Sequence, residues 1–212
     1  MRHIMVLNPK GGCGKSTIAT NLASYYASRG KKVALVDYDP QRSSLDWVDR
    51  RPESRPEVTG VAGFDDGMRH LPRSSDVVII DAPARSHGKE LTQLLHHAET
   101  ILIPVLPSMI DMQAAARFIA ELKATPTLKS RKAKVAVVAN RVRENTLIFD
   151  ELDAFLSEQK VPYVATLREA QNYIRAYTRG LGVLELPDYL AWPDQQEWGP
   201  LLDWLDSRAA RP

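Results

Sequence analysis

The sequence predicts a doubly wound α/β fold, a mostly parallel sheet flanked by helices, and three observations carry that prediction. Five short runs rich in Val, Ile and Leu lack strict alternation, as strands covered on both faces do. Segments with apolar residues at helical spacing lie between them. A glycine-rich turn joins the first run to the first helical segment. With 212 residues, 44% of them hydrophobic, the chain can bury one substantial core. A single domain over 1–212 is therefore expected, with 186–212 its least defined part.

In chain order, strands are expected at His3–Leu7, Lys32–Asp37, Asp76–Asp81, Thr100–Val105 and Lys134–Asn140. The first helix, Ser16–Arg29, follows the glycine-rich turn and stops at Gly30, a residue suited to a helix C-terminus. Further helices are expected at Ser43–Arg50, Asp111–Ala124, Thr146–Glu158 and Arg168–Arg179. Arg50–Pro56, rich in Arg, Pro and Glu, reads as an exposed connection. Leu186–Gly199 holds two prolines and two tryptophans and reads as irregular. A last helix, Pro200–Ser207, would start with proline at its tolerated first position.

Composition narrows the function classes. The net charge is only +2, so any binding of nucleic acid must come from local clusters. The single cysteine, Cys13, excludes an intrachain disulfide, a two-cysteine metal site and a cluster held by several thiolates of one chain. Met1–Leu7 lacks the length and cleavage site of a signal peptide, and no run approaches the roughly 18 apolar residues of a membrane span. A soluble, reducing, cytoplasmic setting is the expectation.

Gly-Gly-Cys-Gly-Lys-Ser-Thr at 11–17 sits between an expected strand and an expected helix, the context that makes a glycine motif a phosphate site. Glycines let successive backbone N–H groups turn inward around an anion, at a helix N-terminus whose dipole favours negative charge. Lys15 would reach the β- and γ-phosphates, and the Ser16 hydroxyl would ligate Mg²⁺. Gly11, Gly12, Cys13, Gly14 and Thr17 complete the cradle, Cys13 as a small filler with no base specified beside it.

Lys10 adds a second lysine at the loop entrance, in the pattern Lys-Gly-Gly-x-Gly-Lys-Ser/Thr. That is the deviant Walker A signature, and here the chain resembles the ParA/MinD family of P-loop ATPases. The resemblance implies ATP and Mg²⁺ as ligands and an ATP-dependent homodimer. In it Lys10 would reach across to the phosphates bound by the other subunit, stabilising the transition state as an arginine finger does.

Two acidic strand ends follow. Ala34–Gln41 ends a buried run in Asp37-Tyr38-Asp39-Pro40-Gln41, and carboxylates at such ends point into the ligand crevice. The string is similar to the ParA Asp-x-Asp-Pro-Gln element, which implies that Asp39 positions the attacking water and that Asp37 lies near the metal. Val77–Asp81 has the form of a Walker B strand, with Asp81 holding a Mg²⁺-bound water. The family more often has Thr or Cys after this Asp, where this chain has Ala82. Ala82–Gly88 would then be a switch sensing the γ-phosphate.

The last third extends the likeness. Val137-Val138-Ala139-Asn140-Arg141 resembles the family's Asn-Arg element, which implies Asn140 on the adenine edge and Arg141 near its face. Leu167–Glu185 resembles the ParA pattern Arg-x4-Tyr-x2-Ala-x3-Gly-x2-Val through Arg168, Tyr173, Ala176, Gly180 and Val183. Arg175 and Arg179, spaced i,i+4, would share a basic face with Arg168, and Arg141 and Arg143 could add charge to it. Such a face neutralises phosphates without reading bases, which suits non-specific DNA.

The resemblance covers Met1 to about Glu185 and implies a cargo-positioning ATPase. It would be nucleoid-associated and released by a ParB-like or McdB-like partner. With the loop starting at Asn8 there is no room before it for an operator-reading domain, which implies short plasmid-type ParA proteins or McdA-like carboxysome positioners. A MinD-like membrane switch would need a basic amphipathic C-terminal helix. Leu201, Trp204 and Leu205 make a stripe, but Asp203 and Asp206 flank it, so packing on the sheet is expected instead. A metabolic ligase on the same fold would need an acid–base constellation, and His87, His96 and His97 read as an exposed loop and helix end.

Overall fold

The computed structural model describes residues 1–84, 86, 88–130 and 132–212. Arg85 and His87, within the expected switch Ala82–Gly88, lie outside the described residues, as does Arg131. The strands are β1 (Arg2–Val6), β2 (Val33–Asp37), β3 (Val58–Ala62), β4 (Val77–Asp81), β5 (Thr100–Val105), β6 (Lys134–Val142) and β7 (Tyr163–Arg168). They form one sheet in the order β3-β2-β4-β1-β5-β6-β7, every pair parallel.

Parallel strands need crossover connections, and helices supply them. The helices are α1 (Lys15–Ser28), α2 (Ser43–Asp49), α3 (Gly63–Asp66), α4 (Gly88–Leu95), α5 (Met109–Ala124), α6 (Pro126–Lys129), α7 (Leu147–Glu158), α8 (Gln171–Thr178) and α9 (Asp188–Asp206). Alternate strand residues divide between two cores. Val77 and Ile79 join Ile18, Leu22, Trp198 and Leu201 on one face, while Val78 and Ile80 join Leu91, Phe118 and Leu152 on the other. This double burial explains why the central strands read as continuous apolar runs.

The five expected strands are present, with ends shifted by a residue or two. Two strands were missed. In β3, Val-Thr-Gly-Val-Ala carries a glycine and too few large residues to stand out; β7, at the other edge, is mixed Tyr-Val-Ala-Thr-Leu-Arg. Arg168 ends β7 instead of opening a helix, and the helix after it runs only from Gln171 to Thr178.

The C-terminal segment also differs from its reading. Residues 188–206 form one helix, α9, with Pro193 and Pro200 inside it. An interior proline costs about 3 kcal/mol. Ala191, Trp198, Leu201 and Leu205 are fully buried along α9, and burying such side chains gains roughly 1.5–3 kcal/mol for each large one. Packing therefore overrides the local breakers.

The Arg50–Pro56 connection is exposed only in part. Arg51 and Glu185 form an ion pair at 2.8 Å with both side chains 4% exposed, and the Arg51 guanidinium sits 5.1 Å from the Trp47 ring centre. Gly180, at φ +64, lets the chain after α8 close against this turn: a Cβ there would lie 2.5 Å from the backbone of Arg50 and Arg51.

Candidate functional site

The C-terminal ends of β1, β2 and β4 meet at one place, where the strand order reverses about β1. In register, Asp81 lies beside Val6 on one side and Asp37 on the other. Crevices at such points are where open α/β sheets bind ligands.

The loop after β1 is shaped by its own side chains. Asn8 is buried; its Nδ2 donates to the Pro104 carbonyl at 2.7 Å and its Oδ1 accepts from the Lys10 N–H at 2.9 Å. The Lys10 carbonyl then accepts from the Lys15 ammonium at 3.1 Å and from the Cys13 thiol at 3.3 Å. Burial pushes the Cys13 thiol up, which disfavours its reactive thiolate form.

Gly14 caps α1 at φ 91, with no side-chain cap. No N–H from Gly11 to Thr17 donates to a backbone carbonyl among the described residues. A helix N-terminus with open donors, above a loop that a Cβ at Gly11 or Gly12 would not crowd, is built to receive an anion.

The far wall comes from β6. Asn140 is 5% exposed, and its Nδ2 donates to the Cys13 carbonyl at 2.8 Å, strapping the loop to the sheet. A Cβ on Gly14 would fall 2.2 Å from that nitrogen. With Nδ2 engaged, Oδ1 has no partner among the described residues and can only accept.

A cavity of about 570 Å³ opens from Gly12, Gly14 and Thr17 past Asn140 to Arg141, Arg168, Glu169 and Tyr173. Arg141, at φ 54, and Arg143 both donate to Glu169, each at 2.7 Å. These two bonds hold the Glu169 carboxyl below the usual carboxylate range.

The acids sort themselves by partner. Both oxygens of the fully buried Asp37 accept backbone N–H groups: Oδ1 from Asp39 at 2.9 Å, Oδ2 from Ser44 at 2.9 Å and Leu45 at 3.2 Å. Asp37 thus caps α2 from outside the helix while standing in register beside Asp81, where the sequence reading set it near the metal. Asp39 is half-buried, with only its Oδ1 engaged, by the Gln41 N–H at 3.0 Å.

Asp81 is buried; Oδ2 accepts from the Ser44 hydroxyl at 2.7 Å and Oδ1 has no hydrogen-bond partner. Burial drives its carboxyl up to about 7, opposed by the hydroxyls of Ser16 and Ser44. A buried oxygen without a partner is costly unless something comes to it. A hydrated cation beside Ser16 fits that need. Among the described residues no group of three His, Cys, Asp or Glu could hold a metal alone, so such a cation would depend on hydroxyl, water and phosphate oxygens.

A family model, the CobQ/CobB/MinD/ParA nucleotide binding domain, matches residues 4–183. The chain belongs to this family. Within it, the Maintenance of carboxysome distribution protein A of Halothiobacillus neapolitanus is 32% identical over 189 residues, 86% of this chain and 87% of that protein. The chromosome-partitioning ATPase Soj of Thermus thermophilus is 28% identical over 189 residues, 74% of this chain and 76% of its own. The solved structure of apo McdA from Cyanothece shares the fold with a TM-score of 0.76 at 16% identity, over 97% of this chain and 99% of the other. MinD from Pyrococcus horikoshii with Mg-ADP does so with a TM-score of 0.71 at 18% identity, over 98% and 97%.

The structure therefore brings together Lys10, Gly11, Gly12, Cys13, Gly14, Lys15, Ser16, Thr17, Asp37, Asp39, Asp81 and Asn140 at the ends of β1, β2, β4 and β6. Arg175 and Arg179 stand apart, exposed on and just after α8. Arg168 does not share their face: its Nε donates to the buried Asp194 at 2.5 Å. Sequence reasoning took Asn8 only as the start of the loop and missed its bonding role, and it missed Ser44. The second signal was present, a serine directly after Asp-Pro-Gln-Arg-Ser, but only tertiary structure turns Ser44 toward both Asp37 and Asp81.

Proposed function

We propose that this chain is a ParA-type ATPase that closes as a homodimer on Mg·ATP and holds DNA non-specifically while closed. It positions or segregates a cargo and lets go when a ParB-like or McdB-like partner stimulates hydrolysis. The observation that carries this reading is the division of labour between two lysines. Lys15 is 7% exposed, with its ammonium inside the loop; Lys10 sits half-exposed at the loop mouth, and its ammonium has no partner among the described residues. A cation left open at the entrance supports a role for Lys10 toward a second protomer's phosphates.

The chain's residues divide the work as follows. Lys15 and the N–H groups of 11–17 bind the phosphates, and Asn140 orients the base through its acceptor. Ser16 and Asp81 would hold Mg²⁺, the latter through water, and that ion would neutralise developing phosphate charge. Asp39, with a carboxylate oxygen to spare, orients the attacking water. Ser44 couples that turn to Asp81. The whole chain acts as one unit, in the cytoplasm and on the nucleoid.

The cargo reading draws on relatives named for carboxysome distribution and chromosome partitioning. Arg175 and Arg179 are the candidate DNA contacts. A MinD-like membrane role is disfavoured because Leu201 and Leu205, part of the apolar stripe an inserting helix would use, are fully buried.

An electrophoretic shift on random-sequence duplex DNA, with ATP, ADP or no nucleotide across a salt series, tests the proposal. Binding that requires ATP and weakens steeply with salt is expected. Equal binding in all three states, or none in any, overturns the DNA-holding cycle.

A further inference from the structure

The segment matched by the family model ends at Val183, yet α9, which lies wholly beyond it, reaches the wall of the nucleotide cavity. Asp194 on α9 has a side chain 0% exposed, and its two oxygens serve two different elements. Oδ1 accepts from Arg168 Nε at 2.5 Å, and Oδ2 accepts from Asn172 Nδ2 at 2.6 Å. Glu197, one turn along α9, accepts the Arg168 backbone N–H at 2.8 Å. Trp198, also on α9, donates to the Tyr173 hydroxyl at 3.0 Å, and Tyr173 lines the same cavity as Arg168.

Arg168 itself is 38% exposed and lines the cavity; its Nε is held, and its two terminal nitrogens have no partner among the described residues. We infer that Asp194 is a positioning residue of the nucleotide pocket, fixing Arg168 so that its terminal nitrogens meet an acceptor on the base or ribose of the bound nucleotide. This inference deepens the proposed function and rests on its nucleotide reading.

The physical reason lies in the arginine. A long side chain at a strand end gives up rotamer freedom when it clamps a ligand, and that loss weakens binding. A buried carboxylate that grips Nε removes the freedom beforehand. The Arg168 guanidinium in turn offsets the cost of burying the Asp194 carboxylate. Guanidinium groups only donate, so the matching atoms on the nucleotide are ring nitrogens or sugar oxygens. Phosphates are already served at the other end of the cavity by Lys15 and the loop amides.

Two ligands separate this role from one of merely pinning α9 to β7. Mg·ATP uses the phosphate loop and the base pocket, whereas tripolyphosphate with Mg²⁺ uses the loop alone. Calorimetric titration of both into wild type, Asp194→Asn and Arg168→Lys tests the assignment. Arg168→Lys keeps the charge that Asp194 requires, so it reports even if Asp194→Asn does not fold. Each variant is expected to bind Mg·ATP about tenfold more weakly, the worth of one charge-assisted hydrogen bond, with tripolyphosphate affinity unchanged. Unchanged ATP affinity, or equal losses for both ligands, overturns the inference. A wild-type protein that binds neither ligand overturns the nucleotide reading itself.

Discussion

At the scale of single residues, the two lysines and Asp81 carry the sharpest consequences. Lys15→Ala is expected to abolish nucleotide binding in equilibrium titrations. Lys10→Ala should leave binding within about twofold yet slow hydrolysis by at least roughly a hundredfold, since charge supplied in trans acts on the transition state. Hydrolysis at the wild-type rate in either variant would sink the site assignment.

Asp81 makes a pH prediction of definite sign. Its carboxyl titrates at about 7 in the folded chain against 3.8 for the ordinary side chain, because burial disfavours the charge. The stability it contributes is fully present below the unfolded value and is lost as pH rises through about 7. Burial raises Asp37 too, in the same direction. Without nucleotide, wild type should melt lower at pH 8 than at pH 5, and Asp81→Asn should remove much of that slope. A wild-type minus variant difference that is flat between those pH values would refute it.

At the scale of elements, the joint between α2 and the segment after α8 is a tight one. Trp47 Nε1 donates to the Leu181 carbonyl at 3.0 Å and Tyr177 donates to the Ser43 carbonyl at 2.7 Å, beside the buried Arg51–Glu185 pair. Removing one partner of a buried pair leaves an uncompensated charge, a loss of roughly 3–5 kcal/mol. Arg51→Ala should therefore lower denaturant stability by about that amount, where the exposed connection read from the sequence would give under about 0.5 kcal/mol. Because α2 begins at Ser43, next to the serine that joins Asp37 to Asp81, this joint also ties α8 to the acidic end of the site.

At the scale of the whole molecule, the sheet puts chemistry at one end and burial everywhere else. The candidate site gathers at the C-terminal ends of β1, β2, β4 and β6, while α1, α8 and α9 cover one face and α4, α5 and α7 the other. If Lys10 serves a partner's phosphates, sedimentation should show a dimer with Mg·ATP and a monomer without it, and Lys10→Ala should weaken that dimer. Arg175→Ala with Arg179→Ala should reduce DNA binding by about tenfold or more at low salt while leaving the dimer intact, and should flatten the salt dependence by about two phosphate contacts. A double variant that shifts DNA as wild type does would move the DNA face elsewhere.

The family, the parallel sheet and the glycine-rich turn between β1 and α1 were legible in the residues alone. Each is a local property: apolar runs mark strands buried on both faces, and glycines with lysine between a strand and a helix mark an anion cradle. The tertiary structure decided what depends on partners distant in the chain. Arg168 reads as a surface charge until Asp194 is folded onto it, and only the fold brings the α2 amides onto the Asp37 carboxylate. Pro193 reads as a helix breaker until burial of Trp198 and Leu201 outweighs it. Local sequence sets what a segment prefers, but the energy of a buried charge, or of an interior proline, is determined by what packs against it.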